Sequence, residues 1–406
     1  MSDDEPVPAA SLAADPSMAT KILHTADWHL GMRFLGFGEA ARTELTRQRL
    51  ATVRRILGVA ERYGVHAVVV AGDVFDGPEP GETWWRPLAD LLQEQRWSAR
   101  PLVFLPGNHD PLTATSVWRN RAFLEALPSW VHVVDRDDWS LSLGDDAVIH
   151  ASPCRRAAGQ LDLTGKLPAR EPGDERVRIA MLHGQTTGFA GNAPHFHIAA
   201  DTATRLGFDY VALGDTHALR RHPPEHAPMI YPGAPEPCRF GETEAGNVAV
   251  VLLPRRRTTP IVQIEPVGHF RWEQREVTTL EALQALHSED HRNTVMRLVV
   301  RMRVAAAQHA IVEGLLRELE SSDARGGRVG ILTVDRSELM LDTRNLMLEL
   351  EDLPEQVRET ARRLQAIIDG GGDRERAELA ERALVHLYGL AREQVATRSP
   401  SAEPSP

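Results

Sequence analysis

Short β-branched runs recur from Lys21 onward, and each ends in a polar cluster containing Asp, Asn or His. The runs are Lys21–Ala26, His66–Ala71, Pro101–Leu105, Arg176–Leu182 and Phe208–Leu213. Their length and composition predict buried strands. Between the early runs the period changes. Leu45, Leu50, Val53, Ile56, Leu57 and Ala60 fall at helical spacing, which predicts a helix over Arg42–Tyr63. Trp84–Gln95 and Ala122–Leu127 also read as helices. Strand–helix–strand alternation predicts an α/β domain. Ligands of such sheets gather beyond the carboxyl ends of the strands, so polar clusters far apart in sequence converge there.

After Thr216 the pattern shifts to Pro- and Gly-rich turns (Pro223, Pro224, Pro228, Pro232, Gly233) around short strands at Asn247–Leu253 and Pro260–Pro266. A break near Gly268 precedes a helix (Leu280–Leu286), a strand (Val295–Val304), a helix (Gln308–Leu319) and a strand (Arg328–Val334). That suffices for a small second α/β unit. From Leu353 to about Glu393 the chain reads as charged helix, divided by Gly370, Gly371 and Gly372. The expected organisation is a disordered tail over 1–18, a main domain over 19–268, a small α/β unit over 269–345, a helical segment over 346–395 and a second disordered tail over 396–406.

Composition narrows the class. The 406 residues are 42% hydrophobic and 25% charged, with a formal net charge of −11. This is ordinary globular usage, with material for a sizeable core. An acidic chain is unlike a simple arm-type nucleic-acid binder. Of the 46 basic residues only Lys21 and Lys166 are lysine, a bias that suits phosphate recognition but follows far more readily from coding-DNA composition. Two cysteines, Cys154 and Cys238, give no disulfide framework and no CxxC site. With no apolar run of membrane-span length and no signal-like start, the expected compartment is a reducing cytoplasm, without membrane partners.

Five clusters carry the chemistry: Asp27-Trp28-His29, Gly72 to Asp76, Gly107-Asn108-His109-Asp110, His183-Gly184 and Gly214-Asp215-Thr216-His217. Each follows a strand-like run and offers nitrogen or oxygen donors. That set suits Mn, Fe or Zn held by mixed imidazole and carboxylate ligands. The Asp-x-His spacing points both side chains of a pair the same way from extended backbone. The neighbouring glycines allow sharp turns.

The order D-x-H, G-D-x-x-D, G-N-H-D, H-G, G-x-x-H resembles the calcineurin-like metallophosphoesterases. Ile22 to Gly31, with Gly72–Asp76, is similar more specifically to SbcD-type DNA exonuclease subunits and their counterparts in double-strand-break repair. Tyr231-Pro232-Gly233-Ala234-Pro235-Glu236 adds to that likeness. The resemblance implies a β-sandwich flanked by helices in four layers, with a small α/β cap and a helical C-terminal segment. It implies two divalent ions, Mn²⁺ foremost, with Fe, Zn or Mg as alternates. Asp27, His29 and His217 would hold the first ion and Asp73 would bridge both. Asn108, His183 and Asp215 would hold the second. His109 would be the catalytic residue, stabilising the developing charge or protonating the leaving oxygen, oriented by Asp76 or Asp110.

Asp215 departs from the family, which usually has His there. In one reading the carboxylate replaces imidazole, which lowers the charge of the centre and favours harder ions. In the other the second site is degraded. The first is preferred, because Asp is a competent oxygen ligand and every other position is filled. His195-Phe196-His197 matches no ligand slot and reads as a loop. Arg155-Arg156, Arg220-Arg221 and Arg255-Arg256-Arg257 each read as solvated faces. Arg220 and Arg221, closest after His217, are the best candidates for a DNA path.

The expected function is a two-metal DNA nuclease acting at DNA ends, with an SbcC-like, SMC-type ATPase as partner and a homodimer as an allowed assembly. The helical segment 346–395 is the expected docking element, though a plain solvated helix pair fits its charges equally. Two alternatives remain: a phosphodiesterase for nucleotides or small phosphoesters, and a non-catalytic metal-stabilised scaffold for an ATPase.

Overall fold

The computed structural model describes residues 19–95, 100–159, 162–186, 196–222, 228–255, 259–320, 329–342, 354–370 and 374–396. The expectations for 1–18, 397–406, Pro223, Pro224, His195, Arg256, Arg257, Leu353, Gly371 and Gly372 lie outside the described residues. The chain divides into two compact units, Met1–Trp272 and Glu273–Pro406.

In the first unit, β1 (Ala19–Thr25), β2 (Ala67–Val70), β3 (Leu102–Phe104) and β4 (Val131–Val133) run parallel. On the other side of β1, β11 (Asn247–Pro254) and β12 (Ile261–Pro266) extend this sheet antiparallel, to the order β12-β11-β1-β2-β3-β4. The second sheet has the order β5-β6-β7-β8-β10-β9, from Trp139–Leu143, Ala147–Ala151, Val177–His183, Tyr210–Gly214, Met229–Tyr231 and Arg220–His222.

Strand alternation sorts side chains between two cores. On β1, Ile22 faces the second sheet while Leu23 faces helices; on β2, Val69 does the former and Val68 and Val70 the latter. The inner core joins Ile22, Val69 and Val103 to Ile149, Ile179 and Met181 of the opposite sheet. Each fully buried branched side chain contributes about 1.5–3 kcal/mol through its burial. The outer face of the first sheet is covered by α1 (Glu39–Tyr63), α2 (Glu82–Glu94) and α3 (Arg121–Ala126), through Val53, Ile56, Leu57, Leu88, Leu92 and Phe123. The outer face of the second sheet packs on α4 (Thr202–Leu206) and the Phe196–Ile198 segment. The result is the expected four-layered α/β sandwich. Strands β4, β5, β6, β9 and β10 were not foreseen; they run three to five residues and, as with polar β9, carry too little pattern to read.

The second unit centres on a three-stranded sheet of order β13 (Arg271–Val277), β14 (His291–Val304), β15 (Val329–Leu341). Met296, Leu298, Val300 and Met302 alternate onto α5 (Leu280–Ser288) and α6 (Ala306–Glu320), meeting Leu283, Val312 and Leu316. Strand β15 outruns the expected Val334, because its charged end pairs across the sheet: Arg301 binds Glu338 at 2.6 Å. Helices α7 (Glu355–Asp369) and α8 (Arg374–Ala396) complete the unit, and Arg303 joins β14 to Glu381 of α8 at 2.7 Å. Among the described residues no helix is long and apolar enough to cross a membrane.

Candidate metal centre

The carboxyl ends of β1, β2, β3, β7 and β8 bring all five polar clusters together. Asp27, Asp73 and His183 offer ligand atoms within 4.8 Å of one another; so do His29, Asp76 and His109, and likewise His29, His217 and Cys238. His183 is the hub of one side. Its Nε2 lies 3.3 Å from Asp73 Oδ2, 2.8 Å from Asn108 Oδ1 and 3.8 Å from Asp215 Oδ1. Its Nδ1 lies 2.8 Å from the Ala71 carbonyl, which fixes the ring. On the other side, His29 Nε2 lies 3.1 Å from His217 Nε2 and 3.8 Å from Asp73 Oδ2. Asp73 thus stands between both groups, as a shared ligand must.

The turns that present these groups are strained. Asp27, His29, Asp73 and Asp215 all have positive φ, which non-glycine residues adopt at a cost. The glycines act by close approach as well as by turning. A Cβ on Gly72 would meet His183 Nδ1 at 2.0 Å, and one on Gly107 would meet Asp73 Oδ1 at 2.1 Å.

Electrostatics agrees with a cation-holding site. Burial pushes Asp27 up to about 6. Burial also acts to raise Asp73, but the neighbouring charge and hydrogen bond of His183 outweigh it and hold the carboxyl below its ordinary range. Burial would lower His183, yet the carboxylates led by Asp73 push it up to about 10. Burial would likewise lower His217, which Cys238 and Glu242 push up to about 11. Without cations the cluster retains protons to balance its carboxylates; divalent ions would replace them. Asp215 Oδ2 is buried with no hydrogen-bond partner, an oxygen suited to a cation. The donor set therefore fits two ions, with Asp27, His29, Asp73 and His217 around one and Asp73, Asn108, His183 and Asp215 around the other.

The supporting residues differ in part from expectation. Asp76 Oδ1 lies 3.2 Å from His29 Nδ1 and 3.6 Å from His109 Nδ1, so its carboxylate faces both rings. Asp110 does not orient His109. Its buried carboxylate accepts the Gly107 amide at 2.7 Å and the Phe75 amide at 3.0 Å, locking two ligand loops together. Glu242 was missed: its Oε1 lies 2.8 Å from His217 Nδ1 and its Oε2 accepts the Cys238 amide at 2.7 Å. The only sequence signal was its place soon after Tyr231–Glu236. Glu236 itself is buried and accepts from Thr52 at 2.5 Å and from the His269 amide at 2.7 Å, a structural tie.

Arg220 and Arg221 lie on β9; Arg220 is ion-paired with Glu244 and Arg221 is exposed. Arg155 and Arg255 pair with Asp137 and Asp146. Phe196 is buried against Gly184, and His197 joins no candidate metal group among the described residues.

Residues 20–219 match the model of the calcineurin-like phosphoesterase family. The chain is 30% identical over 308 residues to the D subunit of the SbcCD nuclease of Rhodobacter capsulatus, covering 61% of this chain and 72% of that one. It is 35% identical over 292 residues to the D subunit of the SbcCD nuclease of Bacillus subtilis, covering 63% and 68%. It is 25% identical over 264 residues to the uncharacterized metallophosphoesterase YhaO of Bacillus subtilis, covering 64% of this chain but only 63% of that one. The chain belongs to the calcineurin-like phosphoesterase family, and its relatives include proteins named as SbcCD nuclease subunits.

Proposed function

We propose that this chain is a two-metal, Mn²⁺-type DNA nuclease that hydrolyses phosphodiester bonds at DNA ends in the cytoplasm, as a subunit paired with an SbcC-like ATPase. The observation that carries this reading is the placement of His109. Its ring packs edge-on against ligand His29 at a centroid distance of 4.8 Å, while its side chain remains 45% exposed. It stands beside the centre yet open to a substrate.

When bound, two divalent ions supply Lewis-acid polarisation of the phosphoryl oxygens and lower the pKa of a coordinated water. The protein does the rest. Asp73 holds the two ligand groups at fixed separation, and its Oδ1 accepts the His109 amide at 2.9 Å. Asp76 faces His109 Nδ1, leaving Nε2 to hand a proton to the leaving oxygen. Phosphates further along the strand fall to arginines. Candidates are exposed Arg221 and the groove lined by Arg33 and Arg42 beside Trp84, which packs on Gly31 just after the His29 loop.

The test offers purified protein with Mn²⁺ linear duplex DNA, single strands and a chromogenic phosphodiester. Degradation of DNA that His109→Ala abolishes supports the proposal. Turnover of the small ester alone would make the chain a small-phosphoester enzyme. No turnover with two ions bound would make it a scaffold.

A further inference from the structure

Cys238 has no role in the two ligand sets above, yet its sulfur lies with His29 and His217 nitrogens inside a 4.8 Å group. Two contacts hold this residue in place. Glu242 spans the cluster, with one carboxylate oxygen at His217 Nδ1 and the other accepting the Cys238 amide. A ligand histidine whose second nitrogen meets a carboxylate is the usual arrangement for fixing a metal-facing ring. Arg49, only 3% exposed, brings Nη2 to 3.2 Å from Cys238 Sγ. That guanidinium otherwise meets the Trp28 and Pro237 carbonyls and Met32 sulfur, and forms no carboxylate ion pair among the described residues.

We propose that Cys238 is a ligand of the first metal ion, so that His29, His217 and Cys238 form a nitrogen–sulfur face selective for Zn²⁺. The second site, with Asp73, Asn108 and Asp215 around His183, remains the oxygen-rich site for Mn²⁺. Thiolate and imidazole suit zinc, whereas carboxylate and amide oxygens suit manganese. Binding replaces the thiol proton with the ion and releases that proton to solvent. The centre is then heterobinuclear. This inference deepens the two-metal reading and rests on it.

Metal-stripped full-length protein is reconstituted with one equivalent of Co²⁺ as a spectroscopic stand-in for zinc. Expected in the wild type is a near-ultraviolet sulfur-to-cobalt charge-transfer band together with visible ligand-field bands. Cys238→Ser should lose the first and keep the second, while Cys154→Ala keeps both. Zn²⁺ affinity of Cys238→Ser, measured against a competing chelator, should fall by more than the ~100-fold that marks the upper end for losing a mere orienting partner. Independently, the Cys238 thiol should react with a disulfide reagent in stripped protein and be shielded by one equivalent of Zn²⁺. Ligand-field bands without charge transfer in the wild type, or charge transfer that survives in Cys238→Ser, overturn thiolate ligation alone. Absence of all cobalt bands overturns both this inference and the two-metal reading. Charge transfer in a protein that never cleaves DNA supports the ligand and overturns the nuclease.

Discussion

The backbone amide of Asp215 donates to the Asp27 carboxylate at 3.0 Å, so two acidic residues that would hold different ions are tied directly together. Its own Oδ1 lies 3.8 Å from His183 Nε2, and its Oδ2 is buried without a partner. This geometry favours replacement of imidazole by carboxylate over a degraded site. Asp215→Ala should bind one divalent ion where the wild type binds two, by equilibrium dialysis. Asp215→Asn, isosteric but uncharged, should keep the second ion with affinity lowered about 10- to 100-fold, taking the range for a disturbed ligand shell. Two ions bound at wild-type affinity by Asp215→Ala would end the ligand role.

His109 makes its contacts through its amide and its ring edge, and it is the exposed member of its cluster. Removing it should therefore spare binding and strike chemistry. His109→Ala is expected to keep metal content and thermal stability while lowering phosphodiester hydrolysis about 10²- to 10⁴-fold, the range of general acid–base catalysis. Loss of metal along with activity would instead make it a structural ligand.

Glu242→Gln keeps the shape of the side chain but removes the charge that faces His217 Nδ1. The ring loses its orienting partner, and metal affinity should fall about 10- to 100-fold. A chelator titration followed by metal release reads this directly. Unchanged affinity would mean that packing alone orients His217.

Much of this centre is legible in the sequence alone. Asp27, Asp73, Asn108, His183 and His217 each follow an apolar run, and a strand that ends in a tight turn leaves its next polar residue at the sheet edge. Glu242 and Cys238 are not legible as site residues. They follow β10, in a segment whose sequence reads as Pro- and Gly-rich turns, and only tertiary packing carries that segment back to His217. Asp110 illustrates the converse. Adjacency to His109 suggests a contact with that ring, but the chain turns between them and aims the carboxylate at two backbone amides.

His24 gives a pH-dependent prediction outside the centre. It sits on the inward face of β1 and meets Tyr210 of the opposite sheet, Nδ1 to hydroxyl, at 2.9 Å. Burial pushes its pKa down from 6.5 to about 3, so the folded state holds the neutral ring. The unfolded chain takes up the proton first as pH falls. Stability from this group is therefore full above about 6.5 and is lost progressively as pH drops through about 3. Asp27 works in the opposite sense, because its folded pKa is raised from 3.8 to about 6 and the folded state binds that proton first. Comparing wild type with His24→Gln in metal-free buffer cancels the Asp27 contribution. The stability difference between the two should shrink on acidification, by up to a few kcal/mol at about 1.36 kcal/mol per pKa unit. Denaturant titrations at stepped pH measure it, and parallel curves for the two proteins would show that His24 does not titrate on unfolding.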